Sequence, residues 1–213
     1  MGNSIYQVLP AENGSSLYFV YINLAHRTDR RQQMEAEYQR IGISQYHRFD
    51  AIKRDPGCIG CSLSHIEALK LGIASGAAHI VVFEDDFELV ASPEEFHELL
   101  QTLPSIDYDV ITLHQSTIQP GAVLRTNHPL LNRITGSWGT GGLIVNKKYA
   151  PTLLNNFTTG SILLQRFPKN DIFNVDSFKI MLEKRDKWFC YHKKLGKQRS
   201  GYSDIDKRFR SFD

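Results

Sequence analysis

The chain has 213 residues, of which 41% are hydrophobic and 23% charged, with a formal net charge of +2. That length suits one compact domain whose core needs no disulfide staples, and the composition excludes wholesale disorder. So mild a charge does not indicate nucleic-acid binding, which calls for a concentrated basic face.

No long uncharged apolar segment occurs, so no bilayer span is expected. Residues 1–16 are polar and lack the basic-then-apolar order of a secretory signal. Three cysteines cannot close a disulfide framework. Cys58 and Cys61 have redox-motif spacing but come after a turn, Asp55-Pro56-Gly57. As zinc ligands they could be joined only by Cys190 and His192. Reduced thiols in a cytoplasmic protein are the expectation.

In chain order, Leu17 to Leu24 is a near-continuous apolar run, as in a strand covered on both faces. A helix is expected from Thr28 to Ile41, stopped by Gly42. A short strand comes next at Tyr46 to Phe49, then a helix from Gly60 to Ala74. His79 to Phe83 is β-branched, apolar and short, the mark of a buried strand. Ser92-Pro93-Glu94-Glu95 is a helix start with a capping box. Val110 to Leu113 reads as a strand, as does Leu143 to Val145 after the glycine-rich Gly136 to Gly142. Lys147 to Leu154 reads as helical, and Asn155 to Asn174 as irregular. A helix at Val175 to Lys184 and a strand at Trp188 to Tyr191 precede a polar, basic tail. The β-α-β-α-β opening predicts an α/β fold: a single Rossmann-like domain with a mainly parallel central sheet flanked by helices. Its bounds are taken as 17–205, with a polar segment at 1–16 and a basic tail at 206–213.

The strand at 79–83 runs straight into Glu84-Asp85-Asp86. A buried strand of an open α/β sheet delivers the residues after it to the rim where ligands bind. Three carboxylates there repel one another and make sense as ligands for a hard divalent cation, which brings substrate phosphates with it. Arg27, Arg30 and Arg31 lie just after the first strand, at the same rim. They oppose the dipole of the helix they open, which favours a functional cause such as neutralising a diphosphate. Gly60 to His65 opens a helix with small residues, whose N–H groups can receive phosphate or a base edge. Trp138, beside Gly139 to Gly142, suits either a sugar face or the core.

These segments occur in a telling order. Val20 to Leu24 with Arg27, Asp29, Arg30 and Arg31 comes first, then Gly60-Cys61-Ser62-Leu63-Ser64-His65. Phe83-Glu84-Asp85-Asp86, Asn174-Val175-Asp176 and Ser203-Asp204-Ile205 complete the set. The set resembles glycosyltransferase family 25, which includes bacterial lipooligosaccharide galactosyltransferases and collagen galactosyltransferases. The resemblance spans residues 17 to 205. It implies a GT-A fold, a UDP-sugar donor, manganese or magnesium, and inverting transfer of a hexose, galactose or glucose. It implies Asp86 as metal ligand, with Glu84 or Asp85 on the ribose or donor sugar. Asn23, Arg27, Arg30, Ser64 and His65 would meet the nucleotide. The loop after Gly142 continues as Leu143-Ile144-Val145, without the aromatic common in the family, which leaves the acceptor open among glycan, lipooligosaccharide and glycoprotein.

Direct displacement needs a base within reach of the acceptor hydroxyl, and a carboxylate suits it. Asp176 is the candidate, with Asp85 as a second catalytic carboxylate and Asp171 in reserve. At a loop-to-helix junction Asp176 could equally be an N-cap. His192, after the last strand, is a candidate metal or pyrophosphate partner or a surface histidine. Gln198 to Asp204 is expected to fold over the donor, and the basic tail offers a peripheral membrane contact. Two other classes remain open: a metal-dependent phosphohydrolase, for which Glu84 fits poorly, and a non-catalytic nucleotide-sugar-binding domain. No nucleic-acid partner is expected, for want of a stacking platform.

Overall fold

A computed structural model describes residues 9–10, 16–115 and 118–212. Most of the polar segment expected at 1–16 lies outside the described residues. In chain order the elements begin with strands β1 (Leu9–Pro10) and β2 (Ser16–Asn23), helix α1 (Thr28–Arg40), β3 (His47–Asp50), α2 (Gly57–Ser75) and β4 (His79–Glu84). Next come β5 (Phe87–Leu89), α3 (Pro93–Thr102), β6 (Val110–Thr112), β7 (Val123–Leu124), β8 (Leu131–Ile134), β9 (Gly142–Asn146) and α4 (Ala150–Arg166). The last are α5 (Val175–Phe178), α6 (Ile180–Arg185), β10 (Trp188–Tyr191), β11 (Gly196–Gln198), β12 (Gly201–Ser203) and β13 (Arg208–Arg210).

One sheet forms the centre, in the order β1-β2-β4-β9-β6-β10-β8-β7, with β3 also beside β2. The α/β class and the flanking helices are as expected. The sheet, however, is mixed rather than mainly parallel. Strands β2, β3, β4, β6 and β10 all point one way, but β9 runs antiparallel between β4 and β6. Antiparallel β8 then closes on β10, and β7 on β8. The cause is in the connection. β9 runs the same way as the strand before it, β8, and is reached by a crossing loop at 135–141 rather than by a helix after a parallel strand. A buried apolar run such as Leu143 to Val145 carries no record of its direction.

Alternate residues of β2 enter opposite cores, as a pleated strand requires. Phe19 and Tyr21 pack with Met34 and Tyr38 of α1 and Phe96 and Leu99 of α3. Tyr18 and Val20 pack with Ile66 and Leu69 of α2 and Leu153 and Phe157 of α4. Helix α2 lies hard against the sheet at Gly72, where a Cβ would come within 2.3 Å of Ile80 Cγ2. That close approach sets the start of α2 over the end of β4.

Helix α4 runs well past Leu154 through the stretch expected to be irregular. Its Asn, Thr and Gly residues are poor helix formers, yet Leu153, Phe157, Gly160 and Leu164 recur at helical spacing and are buried. Packing overrides propensity here. A Cβ at Gly160 would stand 2.8 Å from Phe178 and 2.9 Å from the Phe173 carbonyl, so α5 docks where α4 has no side chain. The helix expected over 175–184 is broken at Lys179 into α5 and α6. The basic tail joins the fold as strand β13, paired antiparallel with β12.

Candidate functional site

Strands β2 and β4 are parallel with Ile22 opposite Glu84, so the next residues, Asn23 and Asp85, leave the same edge side by side. Asn23 is buried and donates from Nδ2 to Asp85 Oδ2 at 2.7 Å and to the Arg27 carbonyl at 3.1 Å. Its own Oδ1 accepts from Arg48 at 3.0 Å. With every polar atom of its side chain engaged, Asn23 sets Asp85 in place and does not line the cleft.

That cleft has a volume of about 510 Å³ and is lined on one wall by Arg27, Arg30, Asp85 and Asp86. Arg30 reaches from the first turn of α1 to Asp85 Oδ1 at 2.9 Å and Asp86 Oδ2 at 3.0 Å. Arg27 is forked onto Asp29 and also paired with Asp204. These carboxylates offset the conflict between the arginines and the α1 dipole. Arg31 turns outward to Glu35 and takes no part.

Asp86 also accepts from Gln198 Nε2 at 2.9 Å, while its Oδ1 is buried with no hydrogen-bond partner among the described residues. Burial, then the charges of Glu84 and Asp85, push its carboxyl up to about 7 against the pull of Arg30. Burial likewise raises Asp85. So many negative charges at one buried edge favour a cation there.

Glu84 turns away from its two neighbours. Its Oε1 lies 3.0 Å from His65 Nε2 and accepts from Thr140 Oγ1 at 2.9 Å. The same threonine hydroxyl stands 2.8 Å from Asp176 Oδ1 and 3.1 Å from His65 Nε2. Burial pushes Glu84 up, but the hydrogen bonds from His65 and Thr140 outweigh it and hold it below the usual range. Burial and then the Glu84 charge raise Asp176. Asp176 is not the N-cap: Asn174 caps α5, accepting from Ser177 N at 2.9 Å. A capping asparagine two residues earlier releases Asp176 toward Thr140.

The loop that carries Thr140 is held at Ser137 by a buried ion pair. Lys179 and Glu183 are both fully buried, 2.5 Å apart, and both bond Ser137 at the start of the glycine-rich loop. Trp138 in that loop is 49% exposed. Ser64 spans from the Gly60 carbonyl (2.7 Å) to the Ile52 N–H (2.8 Å), tying α2 to the chain after β3 at the cleft wall. The closing segment lines the cleft, and its Tyr202 carbonyl accepts from both Arg27 and Arg30.

His192 is not brought to this site. It lies exposed beyond β10, with Nδ1 3.2 Å from the Leu130 carbonyl. Strand β10 is three places along the sheet from β4, about 14 Å at the usual strand spacing. The surface reading holds for it. Asp171, in a short 3-10 turn, is exposed.

Two participants, Thr140 and His114, escaped sequence reasoning, and Cys61 was considered with the wrong partners. Thr140 gave no signal beyond its glycine-rich setting. His114 comes after β6 at the same edge as Glu84 and is buried, with neither ring nitrogen hydrogen-bonded among the described residues, and burial lowers it to about 4. Cys61 lies near His65 and Glu84, the ligand atoms of the three being within 4.8 Å of one another. Its signal was legible as Cys61 and His65 four apart on one helix face.

A divalent cation fits Asp86 as a single carboxylate ligand. The unpartnered Oδ1 and the raised carboxyl leave a place for it, and magnesium or manganese commonly takes one or two carboxylates and fills the rest with phosphate and water. Asp85 is less suited, since both its oxygens are engaged by Asn23 and Arg30.

No family model and no curated protein matches this chain. Among solved structures, A197 from STIV is similar at a TM-score of 0.52 with 11% identity, over 91% of this chain and 92% of that one. At that identity the likeness establishes a shared α/β fold alone. The mannose-1-phosphate geranyltransferase from Thermus thermophilus aligns over 82% of this chain and 73% of its own, with 13% identity and a TM-score of 0.47, too low to carry an argument.

Proposed function

We propose that this protein is a glycosyltransferase of the family 25 kind. It moves a hexose, galactose or glucose, from a UDP-sugar to a hydroxyl of a glycan, lipooligosaccharide or glycoprotein. The observation that carries the proposal is the pairing, in one cleft, of two lining arginines with a buried carboxylate, Asp86, that has one oxygen unpartnered. A diphosphate with a divalent cation answers both, and the cleft volume suits a ligand of that size.

In this reading Arg27 and Arg30 take up phosphate charge as their present partners, Asp204 and the Tyr202 carbonyl, give way. A manganese or magnesium ion, when bound by Asp86 and phosphate oxygens, supplies Lewis-acid neutralisation of the leaving group. Asp176 accepts the acceptor's hydroxyl proton; a carboxylate with raised proton affinity does this better than an ordinary one. The acceptor oxygen bonds to the anomeric carbon as the bond to the UDP oxygen breaks, inverting the centre. Thr140, whose single hydroxyl proton can turn from Glu84 to Asp176, orients that base.

One feature favours a second reading. The Arg30 guanidinium already sits on Asp85 and Asp86, a cation where a metal is otherwise expected. A nucleotide-sugar-binding domain without metal-dependent turnover would use it so. Among the described residues no helix is long and apolar enough to cross a membrane. A cytoplasmic setting, with the basic tail touching a membrane surface, goes with the proposed chemistry.

A panel of UDP-sugars screened for hydrolysis with and without manganese tests the proposal, because slow transfer to water reveals the donor before the acceptor is known. Manganese-dependent UDP release from one hexose donor is expected. Binding without turnover against any acceptor selects the second reading, and phosphate release from simple esters contradicts both.

A further inference from the structure

We infer that Cys61, His65 and Glu84 form a site for a borderline-soft divalent ion, zinc by preference, distinct from the place beside Asp86. The three are the donor types zinc selects: thiolate, imidazole and carboxylate. Cys61 and His65 project from one face of α2, four residues apart, and Glu84 meets them from the end of β4. Their ligand atoms lie within 4.8 Å of one another. Ligand atoms sharing one tetrahedral zinc stand roughly 3.3–3.6 Å apart, given the usual bond lengths. The arrangement is thus near closed before any ion arrives.

Two further observations make this a site rather than a chance grouping. The helix and strand that carry the ligands are fixed against each other by the contact of Gly72 with Ile80, so the spacing does not depend on loops. All three residues line the cleft, which leaves a fourth coordination position open to water or a bound molecule, the pattern of three protein ligands and an exchangeable one. The His65 Nε2–Glu84 Oε1 contact, 3.0 Å, is what the ion replaces. On binding, the Cys61 thiol loses its proton to solvent, and any proton held in that contact leaves with it.

Asp86 plays no part. It is turned to Arg30 and Gln198, and it offers only hard oxygen. The zinc site therefore stands apart from the transferase reading and does not need a UDP-sugar in the cleft.

Titration of the metal-free full chain with cobalt(II) reads the site directly. A thiolate-to-cobalt charge-transfer absorption is expected to saturate at one equivalent and to vanish when one equivalent of zinc is added. Cys61→Ser should abolish that absorption and weaken zinc binding at least tenfold, whereas Cys58→Ser should preserve both. His65→Gln should weaken zinc binding similarly. Asp86→Asn, which disables the manganese place, should leave the cobalt spectrum intact, so loss of nucleotide binding is read separately. Should cobalt bind with no charge-transfer absorption, or should Cys58→Ser be the variant that loses it, the site is not this one. Zinc affinity unchanged in a folded Cys61→Ser protein overturns it equally. Should Cys61→Ser fail to fold, the wild-type and Cys58→Ser spectra decide.

Discussion

Arg30 and Asp86 form an ion pair, Nη1 to Oδ2 at 3.0 Å, and the same guanidinium nitrogen holds Asp85 Oδ1 at 2.9 Å. All three side chains are largely buried. Arg30→Ala leaves two carboxylates facing each other without a cation, so a loss of about 3–5 kcal/mol is expected, the range for breaking a buried pair. Urea denaturation at constant m-value measures it. Arg30→Lys should recover part of the stability, because lysine restores the charge beside both carboxylates but not the second nitrogen that reaches the Tyr202 carbonyl.

The pH dependence of stability should carry the signature of Asp86. Its folded-state carboxyl is raised to about 7 from 3.8, first by burial. A raised acid contributes stability that is fully present below its unfolded value and is lost as pH rises through the folded one. Asp86→Asn, neutral throughout, should therefore gain on the wild type as pH climbs from 3.8 to about 7 and hold that gain above. Manganese at millimolar concentration should raise the melting temperature of the wild type in mildly alkaline buffer and leave the variant where it was. Parallel stability curves for the two proteins would mean that Asp86 is not perturbed.

Asp176 and Asn174 separate base from cap. Asn174→Ala removes the cap of α5 and should cost about 1 kcal/mol with little direct effect on chemistry. Asp176→Asn should lower turnover at least a hundredfold while UDP affinity changes little, in line with the size of general-base contributions. Equal losses in kcat and UDP affinity would assign Asp176 a positioning role instead.

Lys179 and Glu183 hold the glycine-rich loop from inside the protein. Removing one partner, as in Glu183→Leu, strands a buried ammonium and should cost about 3–5 kcal/mol. The double variant Lys179→Met/Glu183→Leu should cost less than the two single changes predict by addition, because neither charge is then left alone. Chemical denaturation of the three proteins gives the coupling energy.

Much of this was legible in the chain itself. The first β-α-β-α-β unit, the acidic end of β4 and the capping box of α3 all come from local rules: strand burial, glycine stops and N-cap chemistry. Long-range geometry was not legible. The antiparallel β9 has the same apolar sequence a parallel strand would have. Helix α4 runs through Asn155 to Ser161, residues that favour loops, and the burial of Leu153, Phe157, Gly160 and Leu164, with Phe178 packed on Gly160, explains it. Around the cleft, sequence order pointed to Asp86, Arg30 and Asp176, which lie close to its acidic edge, but it read Asn23 as a nucleotide contact when its hydrogen bonds are spent on Asp85, Arg27 and Arg48. It placed His192 near a metal because strand β10 ends at the right edge, and lateral distance along a sheet is invisible without its strand order. Thr140 had no spacing rule to announce it.

The most direct measurement is calorimetric titration of UDP into the protein with and without manganese, on the wild type and on Asp86→Asn. Tight binding of UDP that depends on manganese in the wild type and disappears in the variant is the expected result. Binding equally strong without manganese, or unaltered by the variant, would contradict the placement of a cation-bridged diphosphate at the end of β4.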